Sequence, residues 1–335
     1  MRRRGWIGSA LAGVTVVTLL TGCSDQPDNA NNATRDPATP AAAPTAAAAP
    51  AGQVTASAPI ALLLDEPATG ILAAVVDSGT TVHLIDKGVT RPVALPGKAA
   101  ALVAGKPGEV LIAVPGKIVR VDVASGALTT VAVDGDLHSV GLRPDGSLVA
   151  GLADGRVLLL DADGTVRHTI TGLSAADAID TGDGSVVVVD RRQSAIVELD
   201  LDAHKLGLAL RAGDGVTNMI GDHFGRRLVT DTAGAELLVY TTDPLVLHQR
   251  FPVGSSPYAL AYDQRSETVW VTLTGSNEVV GYELSTGIPV EVGRYPTVRQ
   301  PNSVTVDART GDLFVGSATG DGLQRIGADQ RKRGQ

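Results

Sequence analysis

Between Pro257 and Gly287 the chain reads PYALAYDQRSETVWVTLTGSNEVVGYELSTG, three alternating apolar and polar runs separated by turn residues. Tyr258–Tyr262, Thr268–Leu273 and Glu278–Leu284 each carry the period of two that sends successive side chains to opposite faces of a strand. A fourth run, Pro289–Val292, follows the Ser285-Thr286-Gly287 turn. This four-run unit recurs along the chain at a spacing of about 40 residues. No other feature restricts the fold as much.

Aligned on the first run, units begin near Pro59, Lys98, Leu137, Ala175, Val216, Pro257 and Pro301. The third run gives an independent register: TVHLID, KIVRVD, RVLLLD, AIVELD, ELLVYT, EVVGYE and LQRI. Seven units of four antiparallel strands specify an all-β fold, a seven-bladed β-propeller in which each blade packs on the next around a channel. The seventh unit stops after Leu323–Ile326 with three strands, while a spare β-capable run, Gln53–Ser57, precedes the first unit. The N-terminal strand is therefore expected to complete the seventh blade, which removes an open sheet edge.

The residues before the repeats read as an address. Arg2, Arg3 and Arg4 precede an apolar stretch, Ile7–Leu20, that is too short for roughly 30 Å of hydrocarbon. The stretch ends in Leu20-Thr21-Gly22-Cys23, similar to a lipobox, so residues 1–23 are expected to be a lipoprotein signal peptide. In bacterial lipoproteins such a cysteine takes a diacylglyceryl group, of palmitate-type chains, before the signal is removed. Cys23 is the only cysteine, so no internal disulfide can form. Residues 24–52 are Ala/Pro-rich with almost no large apolar side chain, the composition of a disordered tether. Residues 53–330 then form the propeller, expected to be monomeric, and residues 331–335 a basic tail. The net charge is −8, with no basic stripe after the signal, which excludes nucleic acid as a partner.

VWVTLTGSNEVVGYELSTG at Val269–Gly287 and PNSVTVDARTGDLFV at Pro301–Val315 resemble the YVTN-type propeller repeat. Trp270 stands where that repeat has tyrosine and Leu273 where it has asparagine. The whole plan resembles actinobacterial conserved lipoproteins that carry a YVTN-type propeller. The resemblance implies a fold and a lipid-anchored place on the extracytoplasmic side of the cell membrane. It fixes no activity, because lactonases, lyases and binding modules share the architecture.

In a propeller the turns entering the innermost strand share one face with those joining the second and third strands. On that face the repeat alignment places His138, Asp177, Asn218, Tyr258 and Asn302 in one arc of the channel mouth, from blades three to seven. Blades one and two contribute Ile60 and Ala100 instead. Asp190, Arg191, Arg192 and Asp231, with Asp77 and Asn277, fall in the neighbouring loops of the same face. A ligand is expected there. His138, Asp177 and Asn218 have the donor chemistry for a divalent cation, but a water-filled mouth is the stronger expectation, so no metal and no cofactor is assigned. No GxSxG elbow, Walker loop or HExxH helix occurs. The expected function is a binding or scaffolding module of the cell envelope, met by an envelope protein, a glycan or a small ligand. A lactonase or hydrolase working at the channel mouth is the alternative.

Overall fold

The structure, a computed structural model, describes residues 34–331. The signal peptide, Cys23 and the last four residues lie outside the described residues. The described strands form seven four-stranded antiparallel sheets, with sequential strands as neighbours in six of them. In the first blade these strands are Leu62–Asp65, Leu72–Val76, Thr81–Asp86 and Val89–Ala94. The seventh consists of Pro301–Val306, Leu313–Ser317 and Leu323–Ile326, with Gln53–Thr55 added antiparallel to the last of these. The chain is a seven-bladed β-propeller closed by its N-terminal strand.

Second strands are buried throughout, as in LAAVV of blade one and TVWVTL of blade six, because both of their faces meet a neighbouring blade. Outer strands are mostly exposed, as in VTRPVA of blade one. The core therefore sits between blades. Ala73, Val75 and Leu84 of blade one pack with Val110, Ile112 and Val119 of blade two, and Leu323 of blade seven packs with Ile60 and Leu72 of blade one. Trp270 lies opposite Gly281 in the ladder, and a Cβ on that glycine would come within 2.8 Å of the indole ring. The indole of the approximate motif is accommodated by the missing side chain beside it.

Three boundaries differ from the expected ones. The fourth strand of blade six runs Val290–Pro296 rather than Pro289–Val292, since its exposed residues carry little apolar signal. Arg331, read as the start of a basic tail, has only 9% of its side chain exposed. Its guanidinium lies 4.9 Å from the Trp270 ring centroid and pairs with Asp263 at 3.3 Å. Residues 34–52 are not a free tether: they run as extended chain over the propeller, held by hydrogen bonds rather than by burial. Composition could not reveal this, because the segment's partners lie 153 to 273 residues further along.

Candidate functional site

The residues before the inner strands are shaped by irregular pairing. In blades three and seven one extra residue interrupts the ladder between the first two strands, and that residue is His138 or Asn302. Blades five and six carry similar irregularities at Val216/Asn218 and Pro257/Leu260. A bulge bends the strand and turns one side chain out of the alternating pattern, here His138 and Asn302, whereas in blade five the extra residue is Thr217 and Asn218 stays paired.

The predicted arc resolves into pairs. His138 Nδ1 lies 3.0 Å from Asp177 Oδ1, joining blades three and four, and Asp177 Oδ2 accepts the Arg191 amide at 2.9 Å. The Asp177 hydrogen bond holds the His138 imidazole above its ordinary pKa, against the opposing effect of burial. Asn218 Nδ2 donates to the Tyr258 carbonyl at 3.0 Å, joining blades five and six. Asn302 Oδ1 accepts from Gln300 Nε2 at 2.9 Å.

Of the loop candidates, Asp190 and Asp231 are fully buried at the ends of second strands. Asp190 accepts the amides of Ser174, Ala175, Arg192 and Gln193, at 2.6 to 3.3 Å. Asp231 accepts those of Asp214, Gly215 and Gly234, at 2.7 to 2.9 Å. Both carboxylates hold the two loops of their blade together through these amides. Arg191 and Arg192 instead meet the chain's own N-terminal segment. Arg191 Nη2 donates to the Ala38 carbonyl at 2.8 Å, and the Arg192 carbonyl accepts the Arg35 amide at 3.0 Å.

A cavity of about 970 Å³ follows the inner strands and reaches the turns between first and second strands, on the face away from the predicted mouth. Asn218 and Asn302 line it, whereas His138, Asp177 and Tyr258 do not. Leu62, Leu64 and Leu102 line it on blades one and two, while on blades four to seven Asp180, Asp222, His223 and Tyr262 share the wall with Met219, Ile220, Leu260 and Val304. The Tyr262 hydroxyl and His223 Nδ1 are hydrogen-bonded at 2.9 Å, and burial raises the Tyr262 pKa to about 12. His223 and Tyr262 were missed by the repeat alignment, since they lie at the other end of the inner strands from the positions aligned. Among the described residues no group of three or more His, Cys, Asp or Glu side chains is placed to hold a metal ion.

No family model and no curated protein matches the sequence. Solved structures do match in shape. A streptogramin B lyase superposes with a TM-score of 0.69 at 13% identity, over 83% of this chain and 96% of that one. A catalytically inactive virginiamycin B lyase from Staphylococcus aureus, solved with quinupristin, gives 0.68 at 15% identity, over 83% and 97%. The β-propeller domain of Myceliophteria thermophila Cps50 (Swd1) gives 0.68 at 15% identity, over 82% and 97%. The likeness is one of fold alone. The two lyases and the Cps50 (Swd1) propeller domain share it equally.

Proposed function

We propose that the chain is a lipoprotein of YVTN type, anchored through Cys23 on the extracytoplasmic side of the cell membrane, whose propeller is a binding module of the envelope. The observation that carries the binding reading is the channel cavity. Its volume is that of a small-ligand site, and its wall opposes three leucines to Asn218, Asn302 and Tyr262. Such a wall suits a partly apolar ligand with a few hydrogen-bonding groups. The carboxylates of the predicted mouth support the same reading, because Asp177, Asp190 and Asp231 are committed to amides and to His138. Two experiments test it. Cys23→Ala should move the protein from the membrane to the soluble fraction, and continued pelleting after a salt wash counts against the anchor. Asn218→Ala with Asn302→Ala should abolish photo-crosslinking of the ligand in native membranes at nearly unchanged Tm, and undiminished labelling moves the site out of the channel.

A hydrolase or lactonase at the channel mouth is the second reading, favoured by one observation. Asp177 engages His138 Nδ1 and so leaves Nε2 available as a base. Turnover of a lactone or ester panel that is lost in His138→Ala would establish it, and a silent panel leaves the binding reading in place.

A further inference from the structure

Residues 35–44 cross the rim of blades four to seven, and the rim's side chains hold them through the main chain. The carbonyls of Ala38, Ala41, Ala43 and Pro44 accept from Arg191, Gln300, Arg299 and Asn277. The amide of Ala41 donates to Ser256 Oγ at 2.8 Å. Gln300 acts as one residue of a parallel strand would: its Nε2 donates to the Ala41 carbonyl at 3.0 Å, and its Oε1 accepts the Ala43 amide at 2.8 Å. Ala42, between those two bonds, has an exposed side chain.

Apart from Arg35, whose Nη1 donates to the Asp214 carbonyl at 2.7 Å, these contacts read backbone, spacing and side-chain size, with no aromatic anchor. Only the Ala43 side chain is buried, at 5% exposure. A Cβ added to Gly215 would lie 2.7 Å from the Ala38 methyl, so the seat there admits only a small residue. Pro37, Pro40 and Pro44 pre-set an extended chain and lower the entropy lost on docking.

We propose that the rim of blades four to seven is a binding site for extended, Ala/Pro-rich peptide main chain, occupied in cis by residues 35–44 and open in trans to a partner's segment of the same kind. The site lies on the rim and meets the channel through the Gln300–Asn302 hydrogen bond at 2.9 Å. A tethered segment competes at an effective concentration of about millimolar, so the resident strap sets the threshold that a partner must exceed.

The test uses the full-length protein and a fluorescent peptide of residues 34–45, TRDPATPAAAPT, followed by anisotropy. Ala41→Pro with Ala43→Pro removes the two amides donated to Ser256 and Gln300, keeps that of Arg35, and leaves the rim side chains unaltered. This variant should bind the peptide at least about tenfold more tightly than the unaltered protein. Ala38→Phe, which crowds the strap off Gly215, should give the same gain by another route. Adding Gln300→Ala to either should abolish binding while Tm is unchanged. Equal affinity with the strap released and in place, or a gain that survives Gln300→Ala, overturns the proposal.

Discussion

Blades one to three and blades four and five solve the same problem differently at one repeat position, the last residue of the second strand. There the first three blades have Val76, Val114 and Leu152, and the next two have Asp190 and Asp231, all essentially buried. In blades one and two the loops above close chiefly by backbone bonds, with the Thr80 hydroxyl also donating to the Asp77 carbonyl at 2.9 Å. Leu95 donates to the Thr80 carbonyl at 2.8 Å, Ala99 to Gly79 at 2.8 Å and Val133 to Gly116 at 3.0 Å. Gly79 and Gly116 permit this by adopting the left-handed conformation, with φ of +98° and +78°. Blades four and five keep the equivalent backbone bonds, Ala212 to Ser194 at 2.7 Å and Val253 to Ala235 at 3.0 Å, and add a carboxylate that gathers further loop amides. The strap lies over the carboxylate-centred loops of blades four and five and continues over blades six and seven.

The comparison is broken most severely by exchanging its two solutions. Asp231→Val leaves the amides of Asp214, Gly215 and Gly234 without their acceptor and should cost about 4 kcal/mol. Val76→Asp buries a carboxylate where the loops already satisfy themselves and should cost a similar amount, about 3–5 kcal/mol. Urea midpoints measure both, and a loss under about 1 kcal/mol in either would show that the two solutions are interchangeable.

A contrast on the opposite face predicts the next largest effect. At the ends of inner strands Asp180 pairs with Arg227 at 2.7 Å and Asp263 with Arg331, whereas Asp65 of blade one keeps Oδ1 buried without a hydrogen-bond partner among the described residues. Burial chiefly raises the Asp65 pKa from 3.8 to about 7. The Asp307 and Glu66 carboxylates add to the rise, while the Ala308 amide and the Arg309 guanidinium oppose it. The folded state thus holds the proton more tightly than the unfolded chain. Its stabilising contribution is complete below about 3.8 and is lost as pH rises through about 7. Asp65→Asn should remove that slope and raise stability at pH 8 by about 3 kcal/mol. A pH profile of Tm that stays as steep in the variant would contradict this.

The smallest effect belongs to His138. Its pKa is raised by Asp177, so its contribution is present below the ordinary value of 6.5 and declines as pH rises through the folded value. His138→Gln should flatten Tm above pH 6.5 by a degree or two while leaving the acid limb unchanged. An NMR titration of the imidazole gives the direct reading, and a midpoint at or below 6.5 would refute the Asp177 pairing.

The ring and its closing strand were legible because period and repeat are properties of neighbouring residues. Gln53–Thr55 was found by counting strands, with no contact known. The convergence of Asp177 on His138 was half legible: the alignment placed both on one face, but the bulge that frees His138 leaves no mark in the sequence. Asp190 and Asp231 carry the same composition signal as ligand groups and serve the backbone instead. Gln300 gave no signal at all, because its task depends on a segment whose composition reads as disorder.

The closing strand also sets an order of events. Gln53–Thr55 is made first among the strands, yet its pairing partner, Leu323–Ile326, is made last. Six blades can assemble from neighbouring residues as the chain emerges, but the seventh cannot. During that interval Leu323 of the last blade and Ile60 and Leu72 of the first, which end in one cluster, have no partners across the gap. Long-range pairing of this kind is slow and leaves edges open to other chains. The ring's seam is therefore the point at which a growing chain is most exposed to misassembly, and the Gln53–Thr55 and Leu323–Ile326 strands must both be present for the fold to lock.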